Sequence, residues 1–172
     1  LKNGRNIYYN IQRRRYGGDL QGVLNKLDYI QSLGVNAIYM TPIFWSLSSH
    51  KYDALCYHHV DPTFGPDPNG DIEMMKKEDP LKPETWVWTQ ADLLALKLIE
   101  EVHKRKMYII FDGVFNHLGV KNFAFQDVVK NQQASAYKDW FDIKSWRDSA
   151  TGKKFDYKGW FGVTTLPELK ED

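Results

Sequence analysis

Three groups of side chains in this sequence have types and spacings suited to chemistry. Asp112 follows the apolar run at 107–111 (MYIIF) and is itself followed by Gly113-Val114-Phe115-Asn116-His117. A carboxylate with an amide and an imidazole four and five residues on suits acid/base work, a hard cation or hydroxyl recognition. Alone, Asp112 reads as a candidate catalytic acid; the plainer alternative is an aspartate that caps a strand end. The second group is His50-Lys51-Tyr52-Asp53 with Tyr57-His58-His59-Val60-Asp61, which sets three histidines within ten residues. Neighbouring side chains of an extended segment point opposite ways, and the helical H-x-x-x-H spacing of many zinc sites is missing. These therefore read as solvated loop histidines, one of them lining a cleft. Aromatic residues form the third group, with 6 Trp, 10 Tyr and 9 Phe making up 15% of the chain. Flat rings beside polar groups suit sugar faces, although rings in small subdomains usually serve as core. Tyr52 is the exception, because polar and charged residues surround it.

The elements that must hold these groups follow from periodicity. Leu20, Val23, Leu24, Leu27, Ile30 and Leu33 recur at intervals of three and four, predicting an amphipathic helix over 19–33. Asp19 is its expected N-cap and Gly34 its C′ residue. VNAIYM (35–40) reads as a strand that Pro42 ends. A second unit repeats the pattern: Thr89 as N-cap, an apolar face through Ala91, Leu94, Ala95, Leu98, Ile99 and Val102, and a basic last turn. The following MYIIF strand has so few polar side chains that both its faces are expected to be covered. At an offset of 72 residues Leu24 pairs with Leu96, Leu27 with Ile99, Ile30 with Val102 and Ile38 with Ile110. Consecutive α/β units of one parallel sheet fit this similarity.

About 47 residues separate Thr41 from Thr89, and about 60 follow Asp112. Loops that long are normally functional or hold small subdomains. They leave the carboxyl ends of strands, where α/β folds place their sites. The Lys/Glu/Asp-dense stretch from Asp67 to Lys82 reads as a solvated surface loop.

Composition narrows the classes. With 23 Lys+Arg against 22 Asp+Glu in 172 residues, there is no basic excess for a phosphate track. Cys56 is the single cysteine, which excludes an intramolecular disulfide and a Cys-based zinc site. No apolar run approaches the roughly 20 residues that span a bilayer. No nucleic-acid partner and no membrane span are expected in this segment, and the compartment stays open.

Four segments, in order and compatibly spaced, resemble the α-amylase family, glycoside hydrolase family 13. YGGDLQGVLNKLDYIQSLGVNAIYMTPIF (16–44) is similar to the first barrel helix and second strand, most of all those of cyclomaltodextrinase- and neopullulanase-like members. SHKYDALCYHHVDPTFG (49–65) resembles the loop that supplies a sugar-stacking tyrosine. FDGVFNH (111–117) matches the D-x-x-x-N-H motif ending the third strand, and LPEL (166–169) resembles a motif of the inserted B domain.

The resemblance implies an α/β fold: part of a (β/α)₈ TIM barrel, with its second and third strands and their helices, plus a B-domain segment. Barrel residues would occupy 1–115, with a long loop at 42–88, and the B domain would begin over 116–172. A full barrel takes about 250 residues, so this segment cannot close one; in the family the nucleophile and acid/base carboxylates follow later strands, and the resemblance implies that they lie beyond Asp172, none in this segment. Tyr52 would stack on the glucose at the cleavage point and His117 would hydrogen-bond its hydroxyls. Asp112 would brace the active-site floor, replacing the catalytic-acid reading, and Asn116 would hold the B-domain junction.

Two calcium arrangements come with the resemblance. One joins Asn116 and Glu168. The other uses Gly17 and Asp19 with the loop Asn3-Gly4-Arg5, where Arg5 puts a guanidinium in a carboxylate's place and predicts loss of the site. Cys56 stands where the related pattern has Asp, and Lys170 where Asn or Asp is common. The implied activity is retaining hydrolysis of α-1,4, with α-1,6 open, glucosidic bonds in starch-derived oligosaccharides, with maltooligosaccharide or cyclodextrin as partner. Glucanotransfer, or a non-catalytic carbohydrate-binding scaffold, are the alternatives. A homo-oligomer of the intact enzyme is left open, and the segment alone is expected to be inactive.

Overall fold

The computed structural model describes residues 4, 6–8 and 17–171, which form two compact units. The first comprises the described residues up to Lys51 and Tyr57–Asp112, the second Tyr52–Cys56 and Gly113–Glu171.

In the first unit, helices α1 (Leu20–Leu24) and α2 (Leu27–Ser32) precede strand β1 (Ala37–Met40). Helix α3 (Pro68–Met75), helix α4 (Gln90–Lys104) and strand β2 (Tyr108–Phe111) follow. Strands β1 and β2 pair in parallel, from Ala37 opposite Tyr108 to Met40 opposite Phe111, as a crossover through a helix requires. Alternation then gives each strand one inward row. Ile38, Met40, Ile109 and Phe111 pack on a core of Leu20, Leu27, Ala95, Leu98 and Val102. The opposite row, Tyr39, Tyr108 and Ile110, is at least half exposed. The expectation that both faces of MYIIF are covered thus holds for one face, because α1 and α4 lie on one side of the pair.

The single helix expected over 19–33 is interrupted at Asn25 and Lys26. The Lys26 N–H reaches back three residues to Val23 rather than four, a tightened turn that breaks the α-helical ladder. Asp19 caps α1 through the Gly22 N–H at 2.7 Å, and Gly34 takes φ +79° beyond α2. The stretch read as a solvated loop contains α3, capped by Asp67 with Pro68 at the first helical position. Its Asp71 is fully buried and accepts from Gln90 N (2.8 Å) and Ala91 N (3.0 Å). A carboxylate there satisfies orphan donors at the positive end of α4. Thr89 and Asp92 add a reciprocal capping box.

The second unit holds helix α5 (Phe123–Asn131) and an antiparallel pair, β3 (Ile143–Ser145) with β4 (Asp156–Tyr157). Its core is aromatic: Phe125 lies edge-on to Phe141 (5.0 Å) and Tyr157 (4.7 Å). The LPEL segment returns beside Asn116-His117-Leu118. Leu118 N donates to Pro167 O (3.1 Å) and Leu169 N to Asn116 O (2.9 Å). Two segments about fifty residues apart are thereby zipped together.

Candidate functional site

The short segment Tyr52–Cys56 belongs to the second unit because three of its backbone carbonyls are held there. His117 Nε2 donates to Tyr52 O (2.8 Å), Gly119 N to Ala54 O (2.9 Å), and Asn122 Nδ2 to Leu55 O (2.7 Å). Asn122 also caps α5 by accepting from Ala124 N, so its amide serves helix and segment at once. Gly119 is required for the approach: a Cβ there would stand 2.5 Å from Asp53 O.

His117 is 2% exposed. Its Nδ1 faces the Asn116 amide at 2.6 Å, and its Nε2 serves the Tyr52 carbonyl. A carbonyl can only accept, so Nε2 carries the proton, while the Asn116 Nδ2 amide donates to Nδ1, which fixes the tautomer. Trp160 lies 5.1 Å from the imidazole. With Phe161, Lys144, Lys158 and Glu168 it lines an open cleft of about 450 Å³. The Tyr52 side chain, unlike its backbone, is 37% exposed.

Trp160 and Phe161 stood in the sequence only among many rings. Their signal was the run Gly159-Trp160-Phe161-Gly162, in which Phe161 adopts φ +47° and is 87% exposed. Such exposure of a large apolar ring is uncommon in a core role.

Asp112 continues the parallel pairing, its N–H donating to Met40 O (3.0 Å), and its Oδ2 accepts from the Tyr39 hydroxyl at 2.6 Å. The Asn116 and Glu168 pair does not fit calcium well. Glu168 Oε1 already holds the Lys158 ammonium at 2.6 Å, a cation in the place an ion would take. The pairing also holds Lys158 above its ordinary pKa. Of the other calcium set, Asp19 is occupied as the α1 cap, Gly17 has φ +77°, and Asn3 and Arg5 lie outside the described residues.

The paired histidines depart from expectation. His58 and His59 do not diverge into solvent: their rings lie 4.4 Å apart and both reach Glu78 Oε2, at 3.5 and 2.8 Å. Residues 57–60 are not a regular strand, so alternation does not apply. His59 is 2% exposed, with Nδ1 2.8 Å from Asp92 Oδ2. Burial works against its charge, but hydrogen bonds to Asp92 and Glu78 outweigh that and raise its pKa. Burial and the neighbouring His59 lower the pKa of His58.

Lys51 and Asp61 were not foreseen either. Both are 2% exposed, paired at 2.6 Å, and Asp61 also accepts from Ser46 N and Thr63 N. The Lys51 ammonium lies 5.0 Å from the Phe64 ring.

Known proteins resemble this chain in sequence and fold. The model of the α-amylase catalytic domain matches residues 2–79 and 89–165. The chain is 44% identical over 131 residues to a cyclomaltodextrinase of Thermoanaerobacter pseudethanolicus, covering 76% of this chain and 18% of that protein. It is 38% identical over 157 residues to Neopullulanase 2 of Thermoactinomyces vulgaris, covering 91% and 23%. A crystal structure of a debranching enzyme from Nostoc punctiforme superposes with a TM-score of 0.69 at 35% identity, over 91% of this chain and 27% of that one. The chain therefore spans about a fifth of the length of these curated relatives. No helix among the described residues is long and apolar enough to cross a membrane. The parallel α/β pair, the His117 clamp and a family match over most of the sequence lead to one conclusion: the chain belongs to the α-amylase family, glycoside hydrolase family 13.

Proposed function

We propose that the protein to which this chain belongs is a retaining α-glucan hydrolase acting on maltooligosaccharides or cyclodextrins, and that this segment builds part of the subsite for the reacting glucose. The observation that carries the reading is the Tyr52 arrangement: a fixed backbone beneath an exposed ring. A rigid aromatic face suits the apolar face of a pyranose, and restricting it before binding reduces the entropy lost on association. Relatives named cyclomaltodextrinase and neopullulanase support the substrate class.

In this proposal Tyr52 stacks on the sugar. His117, with both ring nitrogens engaged inside its unit, contributes by positioning Tyr52 and belongs to the subsite through it. Asp112 braces the strand end through Tyr39, and Asn116 fixes the ring of His117. Residues 1–115 are assigned to the barrel and 116–172 to the start of the inserted B domain. The two carboxylates of a retaining mechanism, about 5 Å apart, are assigned to sequence beyond this segment. One attacks the anomeric carbon while the other protonates the leaving oxygen and then activates water.

In the full-length enzyme, Tyr52→Ala is expected to lower kcat/KM on maltooligosaccharides by about 100-fold or more, and Tyr52→Phe to retain most of it. An unchanged kcat/KM for Tyr52→Ala would overturn the assignment.

A further inference from the structure

We propose that His58, His59 and Glu78 form a binding site for a zinc-class divalent cation, separate from the sugar-binding residues. Two imidazoles and a carboxylate are a donor set that Zn²⁺ favours, with a fourth position left for solvent. The His58 Nε2, the His59 Nε2 and a Glu78 oxygen all lie within 4.8 Å of one another. A tetrahedral ion with bonds of about 2.0–2.2 Å keeps its ligand atoms roughly 3.3–3.6 Å apart. The His58–Glu78 separation of 3.5 Å already falls there. The His59–Glu78 separation of 2.8 Å is a direct hydrogen bond that must open by about half an ångström as the ion enters.

The groups behind the ligands are also in place. Asp92 Oδ2 holds His59 Nδ1 at 2.8 Å, which keeps the proton on Nδ1 and turns the Nε2 lone pair toward the other donors. This is the carboxylate–histidine arrangement that orients metal-bound imidazoles. Asp92 is fixed in turn by the Val60 and Thr89 N–H groups at 2.8 and 3.0 Å. The His58 ring is stacked on Trp86, with centroids 4.1 Å apart and planes 13° from parallel.

The side chain of His58 is 22% exposed against 2% for His59 and 5% for Glu78, so the ion enters past His58. On binding, the proton shared between His59 Nε2 and Glu78 leaves to solvent and two metal–ligand bonds replace that hydrogen bond. The ion would tie the residues before α3 to those after it. Site and sugar chemistry are independent, so calorimetry tests one without the other.

The test is titration of the chelator-treated full-length protein to which this chain belongs with ZnCl₂ by isothermal calorimetry, followed by Co²⁺ absorption. The wild type is expected to bind one equivalent with micromolar or tighter affinity and to show the d–d bands of a tetrahedral Co²⁺. His58→Ala, the most exposed ligand and the variant least disruptive to the core, is expected to lose roughly tenfold or more in affinity and those bands, while keeping its circular dichroism. Glu78→Gln is a second variant with the same expectation, and His103→Ala, on exposed α4 surface, is expected to bind as the wild type does. Absence of stoichiometric Zn²⁺ binding by the wild type, or wild-type affinity in folded His58→Ala, would overturn the site.

Discussion

His59 and His117 are equally buried, at 2% exposure, yet their partners differ in charge. His59 sits between the carboxylates of Asp92 and Glu78, whereas His117 sits between a neutral amide and a backbone carbonyl. Two anions favour a cation at the first position, as an imidazolium or a metal ion. One donor and one acceptor fix the second ring as a neutral strut that strings Tyr52 to the N-H motif. Burial alone does not tell these roles apart; the charge of the hydrogen-bond partners does.

The largest effect should come from breaking the anionic side of this contrast. Asp92→Ala removes a carboxylate partner of His59 and half of the α4 capping box, and is expected to cost about 3–5 kcal/mol in urea denaturation. A cost below about 1 kcal/mol would mean that the pair is effectively solvated. Next, Gly119→Ala pushes a methyl group against Asp53 O and should destabilise by about 1–3 kcal/mol, with faster hydrogen exchange at the Gly119 amide. Asn116→Ala removes one neutral hydrogen bond from His117 and is expected to cost about 1 kcal/mol, with the loss of the Nδ1 hydrogen bond read from ¹⁵N shifts of the ring. Trp86→Ala, which takes the stacking surface from His58, should be similarly mild at roughly 0.5–1.5 kcal/mol.

Much of the first unit was legible because its signals are local. The apolar stripe of α4, the Thr89 cap, Gly34 and the two strands each express a period or a cap within a few residues. Helix α3 was missed because its sequence, PNGDIEMM, has no continuous apolar stripe. Its legible sign was Asp67-Pro68, a cap followed by a proline suited to the first helical turn. Placement of Tyr52–Cys56 in the second unit was not legible. Three hydrogen bonds from residues more than sixty positions away determine it, and no local period records such pairing. The paired histidines were misread for the opposite reason: strand alternation was applied to a segment that is not a strand, and Glu78, nineteen residues from His59, gave no sign of joining them. At the candidate site, Tyr52, Asn116 and His117 were visible as motif residues, but their connection to Gly119 and Asn122 was not.

A double-mutant cycle on kcat/KM in the full-length enzyme tests the central claim, that His117 serves the substrate through Tyr52. The cycle compares Tyr52→Ala, His117→Ala and the double variant on a maltooligosaccharide. If the histidine works by holding the tyrosine, the double variant will be no slower than Tyr52→Ala alone. Losses that multiply would show two independent contributions and contradict the account.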